Sequence, residues 1–307
     1  MTKKKTKRIL RISLLIGTPI SLWFVPWTMV MAWLTPLPDT VEQQVNDALK
    51  HDFDGIIVYV DKSGKPPEFY AAGWHDRKNK IPARPNAFFK IASISKLYDA
   101  VAITKLVNDK LLSWIDPPKS SKEALERVLD LPANFEPDTA YEYSNTNYLL
   151  ISDLIDKVTG TSKFQFIKER ILRPLELKNT FGSIHEVNIN DVMSGYYVGI
   201  EEDIKAGEYG TKLTSMIATA EDVSVFLRAL NDGSIFEKEE QNIYSSIYVY
   251  NHTGLIPGYM SIAKYHKDID AVVVQFINTT DFEGYQWNLS EMVYNRIVKI
   301  LRSEKSS

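Results

Sequence analysis

The sequence predicts an α+β fold: an antiparallel sheet flanked by helices, with a helical lobe inserted mid-chain and one N-terminal transmembrane helix in front. Three observations predict it. Strand-like runs fall early and late in the 307-residue chain, a long helix-rich stretch separates them, and an amphipathic helix follows the last strand. Ahead of all this lies an uncharged apolar stretch at the N-terminus.

The elements follow in order. From Ile12 to Pro38 no residue is charged, and Ile12 to Leu34 is mostly apolar, about the length a helix needs to cross a bilayer core. Pro19 and Pro26 are awkward in a soluble helix but tolerated in a span. The cluster Lys3, Lys4, Lys5, Lys7, Arg8 and Arg11 precedes it and predicts a cytoplasmic N-terminus, with everything after Asp39 exported. A cleaved signal peptide is the alternative, although no clear small-x-small site is present. Thr35 to Pro38 reads as a stiff spacer. Gly55–Val60 and Glu68–Trp74 read as neighbouring strands. Leu97–Val107 is apolar almost all round and predicts a buried central helix. Tyr148–Val158 predicts another, stopped by Gly160. Residues 117 to 245 are helix-rich, Tyr259–Tyr265 and Ala271–Asn278 are strands by composition, and Leu289, Val293, Ile297 and Ile300 recur at helical spacing. The chain thus divides into residues 1–38 (basic tail, anchor and spacer) and a folded domain at 39–307, with the helical lobe at about 97–245.

Composition narrows the function. Removing the six N-terminal basic groups leaves 30 basic against 39 acidic residues, so the remainder carries about −9. A mildly acidic body does not call for nucleic acid as a partner. The chain has no cysteine, which excludes a thiol nucleophile, a disulfide framework and a lipidated cysteine. No His/Asp/Glu cluster has metal-ligand spacing, and neither a metal nor an organic cofactor is expected.

Three short motifs can carry chemistry. In Ser93-Ile-Ser-Lys96, a helix starting at Ser93 would return Lys96 to the same face, beside the hydroxyl. A desolvated lysine can take a proton, and a helix N-terminus aims backbone N–H groups at developing negative charge. The same four residues also fit an N-cap serine followed by a snorkelling lysine. A second copy, Ser261-Ile-Ala-Lys264, sits in a strand-like stretch where its side chains would not meet, and reads as structural. Tyr143-Ser-Asn145 is the chain's single Tyr-x-Asn; it can pair a phenolic base with an amide that orients substrate, or be a loop aromatic with a helix-capping asparagine. His252-Thr253-Gly254 precedes Pro257-Gly258 and a strand, and is either a turn or a strand edge that an extended substrate can approach.

The three occur in order at spacings of 50 and 109 residues. Together they resemble the three-motif pattern of the serine β-lactamase and penicillin-binding protein superfamily, most closely its class C-like branch of D-aminopeptidases, D,D-carboxypeptidases and esterases. The similar stretches are FFKIASISKLYDAVAITKLV, FEPDTAYEYSNTNYLLISDLIDKVTG and HTGLIPGYMS, with weaker echoes in ILRPLELKNT and TAEDVSVFLRAL. The resemblance spans roughly residues 50 to 300 and implies a β-lactamase/transpeptidase-like fold. It also implies Ser93 as acylated nucleophile, Lys96 and Tyr143 as proton handlers, and Asn145, His252, Thr253 and Gly254 as substrate-binding residues. The backbone N–H groups of Ser93 and Leu255 would form the oxyanion hole. The implied substrates are D-amino-acid peptides, peptidoglycan stems, β-lactams or small esters; a non-catalytic sensor or scaffold at the membrane is the other reading.

This chain also departs from the pattern. Only 26 residues separate Asp116 from Tyr143, Glu176 stands where glycine is common, and QNIYSSIYVYN before His252 lacks the usual glycine-tryptophan strand signature. These changes suggest a trimmed, more open cleft. His252 occupies the place of a common lysine. An ordinary histidine titrates near pH 6.5, so carboxylate-bearing substrates are expected to bind better below about that pH.

Overall fold

In a computed structural model of the chain, the described residues are 18, 21–111, 143–207 and 215–304. The chain divides into two compact units, Met1–Leu37 and Pro38–Ser307. In the first, helix α1 (Trp27–Leu34) follows a break in helical backbone at residues 24–26. Pro26 has no N–H to continue the ladder, which accounts for the interruption. Among the described residues no helix is long and apolar enough to cross a membrane. The basic tail and part of the expected span, residues 12–17, 19 and 20, lie outside the described residues.

The second unit begins with α2 (Val41–Ala48), β1 (Gly55–Lys62), β2 (Glu68–Asp76), β3 (Ile81–Pro82) and β4 (Phe89–Lys90). A 3₁₀ turn, Ala92–Ile94, leads into α3 (Ser95–Asn108). Then come α4 (Asn145–Thr159), α5 (Lys163–Ile167), β5 (Thr180–Phe181), β6 (Tyr196–Tyr197), β7 (Ile217–Ala218), α6 (Ala220–Asp232) and α7 (Glu240–Ile247). The chain returns through β8 (His252–Ile256), β9 (Tyr259–His266), β10 (Ala271–Ile277) and β11 (Thr279–Thr280) to α8 (Gln286–Ser303).

The main sheet has six strands in the order β3-β2-β1-β10-β9-β8, each antiparallel to its neighbours. Its centre joins the two ends of the domain: Ile56 of β1 lies opposite Ile277 of β10. Ile57 and Tyr59 share a core cluster with Phe226 and Leu227 of α6, whereas Ile56 and Val58 alternate to the other face. That second face meets α8, where Gln275 Nε2 donates to Ser290 Oγ at 3.0 Å. Burial on both faces explains why these strands read as continuous apolar runs rather than alternating ones.

The antiparallel sheet with helices is therefore as expected, and α3 is the expected buried helix. Leu97, Tyr98, Val101 and Leu106 are fully buried along it. One detail differs from the sequence reading. The α-helix starts at Ser95, leaving Ser93 in the 3₁₀ turn before it. Of the two readings of His252-Thr253-Gly254, the strand edge is the one found: the triplet opens strand β8, the edge of the sheet, joined to β9 by Pro257-Gly258. Gly258 has φ +82°, the left-handed conformation that the second corner of a Pro-Gly turn demands. A five-residue polar triplet-plus-two carries too little β-branched signal to announce a strand. Of the expected helix-rich middle, residues 112–142 and 208–214 lie outside the described residues.

Candidate active site

Ser93 sits on a turn that is pinned from two sides. Ala92 N–H donates to Ser215 Oγ at 2.7 Å, and Ile91 N–H donates to Met216 O at 3.0 Å. From the sheet side, Ser261 Oγ donates to Ile91 O at 3.0 Å. Ala92 adopts φ +50°, a left-handed conformation that costs a non-glycine residue about 1–2 kcal/mol. This is the kind of local strain that a surrounding network must hold in place, and here it lifts Ser93 towards solvent.

Three residues on, Lys96 is 7% exposed and its Nζ donates to Ser93 Oγ at 2.8 Å. The 3₁₀-to-α transition still brings the two side chains together, because a three-residue step returns to the same face in either helix type. Tyr143, from the segment just before α4, donates its hydroxyl to the same Ser93 Oγ at 3.0 Å. The Lys96 ammonium also lies 5.0 Å from the centroid of the Tyr143 ring and 4.9 Å from that of Tyr148. Two aromatic faces and one hydroxyl thus surround the nearly buried Lys96 ammonium and hold it against Ser93 Oγ.

Asn145 opens α4 two residues after Tyr143; its side chain lies outside the described residues. The strand β8 forms the opposite wall. Gly254 lies so close to the nucleophile turn that a Cβ there would come within 2.4 Å of Ser261 Oγ, 2.6 Å of Ile91 O and 2.8 Å of Ala92 Cβ. Glycine is required by this approach, and the approach is what sets β8 beside Ser93. Leu255 and Thr253 line the same cleft as Ser93.

His252 faces the cleft from the start of β8, and its ring is stacked on that of Tyr248 at 5.8 Å. Its Nδ1 is 2.5 Å from Thr253 O and its Nε2 is 2.9 Å from the Tyr248 hydroxyl. A carbonyl can only accept, so Nδ1 carries a proton and donates to Thr253 O, while Nε2 is hydrogen-bonded to the Tyr248 hydroxyl. Burial pushes the His252 pKa below 6.5, and the nearby Lys96 cation acts in the same direction. The expected titration near pH 6.5 is therefore corrected downwards: this side chain is not the cation that a lysine in its place would be.

The cleft measures about 680 Å³ and is lined by Ser93, Tyr143, Ile247, Tyr248, Val249, Asn251, His252, Thr253, Leu255, Lys264 and Trp287. Among the described residues no group of three or more His, Asp or Glu side chains could hold a metal. Ser261 has the structural role expected of it, holding Ile91. Lys264, dismissed with it, lines the cleft. Tyr148 and Tyr248 carried no motif; the weak available signals were their spacings, three residues after Asn145 and four before His252.

The arrangement has counterparts. The family model described as Beta-lactamase matches residues 37–119 and 115–253. Protein flp of Staphylococcus aureus strain MW2 is 23% identical over 272 residues, covering 71% of this chain and 53% of that protein. D-aminopeptidase of Brucella anthropi is 25% identical over 183 residues, covering 46% of this chain and 35% of that protein. This chain thus spans about half the length of the first relative and less of the second. Among solved structures, D-amino acid amidase from Ochrobactrum anthropi SV3 superposes with a TM-score of 0.74 at 20% identity, covering 86% of this chain and 98% of that one. A penicillin binding protein from Bacillus halodurans gives a TM-score of 0.70 at 16% identity, covering 85% and 98%. The structural likeness carries the fold, the family match spans well over half of the sequence, and the chain belongs to the beta-lactamase family.

Proposed function

We propose that the protein is an exported, membrane-anchored serine hydrolase that forms an acyl-enzyme on Ser93 and acts on D-amino-acid peptides, peptidoglycan stem peptides, β-lactams or small esters. The observation that carries the reading is the convergence of Lys96 Nζ at 2.8 Å and Tyr143 OH at 3.0 Å on one nucleophile oxygen facing a cleft. In acylation, Ser93 Oγ bonds to the substrate carbonyl carbon while its proton passes through Lys96 and Tyr143 to the departing nitrogen or oxygen. The backbone N–H groups of Ser93 and Leu255 receive the oxyanion, each donor contributing roughly 3 kcal/mol. Asn145 orients the substrate amide, and His252, Thr253 and Gly254 align it along β8. Water then attacks the acyl carbon with Tyr143 as base and restores the Ser93 hydroxyl. Relatives whose names denote a D-aminopeptidase and a D-amino acid amidase support the substrate class.

Anchoring rests on the sequence: six basic side chains before an uncharged stretch from Ile12 to Pro38. The N-terminus would be cytoplasmic and the domain after Asp39 extracytoplasmic.

The test is intact mass of the detergent-purified full chain after incubation with a penicillin and with an activated ester, beside Ser93→Ala. An adduct in the wild type alone, or ester turnover lost in Ser93→Ala, supports the hydrolase. Neither adduct nor Ser93-dependent turnover moves the reading to a non-catalytic sensor.

A further inference from the structure

One turn along α3 from Lys96 lies a carboxylate that belongs to none of the three motifs. Asp99 is 3% exposed, and its three-residue step from Lys96 sets the two side chains on one face of the helix. Lys163, the first residue of α5, reaches Asp99 from outside the helix: its Nζ donates to Oδ2 at 3.1 Å and lies 3.0 Å from Oδ1. Lys163 is itself fixed in place. Its N–H donates to Asp156 Oδ1 of α4 at 2.5 Å, and Ser162 caps α5 by accepting from Gln165 N–H at 3.2 Å. Although buried, Asp99 Oδ1 accepts no hydrogen bond, so Lys163 leaves part of the carboxylate unsatisfied.

The other groups facing Lys96 are the Ser93 hydroxyl, the rings of Tyr143 and Tyr148, and His252 across the cleft. None of them is a carboxylate. The Lys96 charge is nevertheless felt at Asp99: burial raises the Asp99 pKa, and Lys163 and then Lys96 oppose that rise. Attraction between two charges is mutual, so the carboxylate that Lys96 helps to keep ionised in turn favours the proton on Lys96. The Lys163 cation acts on Lys96 with the opposite sign. A buried ion pair is by itself weak evidence for stability, because desolvating both charges offsets much of their attraction. The placement of this pair, one turn from the lysine that touches the nucleophile, gives it a second use.

We infer that Asp99 is a positioning residue: held by Lys163, its buried carboxylate is the counter-charge that fixes how tightly Lys96 keeps its proton beside Ser93 Oγ. The inference rests on the hydrolase reading for its catalytic meaning, but a direct titration of Lys96 tests it without turnover. Because Lys163 belongs to α5 and Asp99 to α3, the packing of these two helices becomes part of the proton balance at the nucleophile.

The experiment follows the Lys96 titration by NMR in the detergent-purified full chain labelled with ¹³C-lysine, the signal being assigned by its loss in Lys96→Arg. In Asp99→Asn the Lys96 midpoint is expected to fall by about one pH unit, the usual scale for losing one nearby opposite charge. Replacing both partners of a buried pair is better tolerated than removing one, so Asp99→Asn with Lys163→Met covers the case in which the single variant does not fold. There the lost repulsion from Lys163 offsets part of the lost attraction, and the midpoint should fall by about half as much. Lys163→Arg keeps the charge and should leave it within about 0.2 units. A role confined to joining α3 and α5 would lower stability without moving Lys96. A midpoint unchanged in Asp99→Asn, or unchanged in the double variant if the single one does not fold, overturns the inference. For a neutral activated ester, the limb of the kcat/KM profile that Lys96 sets should move to lower pH by the same amount as its midpoint. The hydrolase reading stands or falls separately: a shifted Lys96 midpoint without Ser93-dependent turnover would sink that reading and leave the role of Asp99 in place.

Discussion

Glu176 shows how a single departure from a family pattern becomes a physical statement. It stands where glycine is common, and its backbone has φ +56° with the side chain exposed. A side chain there gains nothing in contacts and strains the backbone, so Glu176→Gly should raise stability by about 1 kcal/mol, measured by urea denaturation. His252 gives a second prediction. Burial and Lys96 lower its pKa, so its charge changes less between pH 6.5 and 8 than that of an ordinary histidine. KM for a carboxylate-bearing substrate should stay within about twofold over that window, whereas an ordinary histidine would show a transition at its lower end. These residues also mark what could be read in advance. Ser93, Lys96, Tyr143 and His252 were legible because chemistry needs those types in that order. Tyr248 was not, because its contact with His252 is a hydrogen bond and a ring stack that no spacing specifies.

At the scale of elements, the contact between α3 and α7 governs how firmly the nucleophile helix is held. Lys105 Nζ lies 2.9 Å from Glu240 Oε2 and donates to Ile235 O at 3.0 Å, with both ionised side chains almost wholly buried. Glu240 Oε2 also accepts from Glu237 N–H at 2.8 Å. Removing one partner leaves a buried uncompensated charge, so Glu240→Ala should cost about 3–5 kcal/mol in a denaturation experiment. Replacing both with Lys105→Met and Glu240→Leu should recover most of that. Elements were largely legible where apolar periodicity is strong, as in α3, β1, β10 and α8. They were less so where tertiary contacts decide. The start of α3 shifted two residues because the turn at Ala92 is fixed by Ser215 and Ser261, far away in sequence. Likewise β8 is a strand because β9 pairs with it, despite a weak strand composition of its own.

For the whole molecule, four of the five histidines share one property. His51, His75, His252 and His266 all have pKa values lowered mainly by burial, His266 to about 4. The unfolded chain takes up protons near pH 6.5 at each of these, whereas the folded one does so only at lower pH. Their contribution to stability is thus complete above 6.5 and is lost as pH falls towards 4. His266→Gln should flatten the fall in unfolding free energy between pH 7 and 4.5 by about 2 kcal/mol, after allowance for solvent screening of a half-buried ring. Comparing variant with wild type removes the buried carboxyls of Asp99 and Asp222, whose pKa values are raised by burial and which act in the opposite sense. The sheet order at this scale was beyond sequence patterns: β1 and β10 lie more than 200 residues apart, and nothing local in either announces its partner.

The crowding at Gly254 has a consequence for how this protein can vary. Its three nearest neighbours include a side chain on β9, a main-chain oxygen and a side chain on the nucleophile turn. Trimming Ser261 would clear one of them and leave the carbonyl of Ile91 in the way. No single companion change opens room, so the position has no one-step route away from glycine that keeps β8 beside Ser93. Next to it, Leu255 contributes its backbone to the proposed oxyanion hole while its side chain is 40% exposed. Across a library of descendants, the first site would stay frozen, while the second would accept other side chains that suit the cleft it lines, two adjacent codons with different tolerance set by which way the strand turns each side chain.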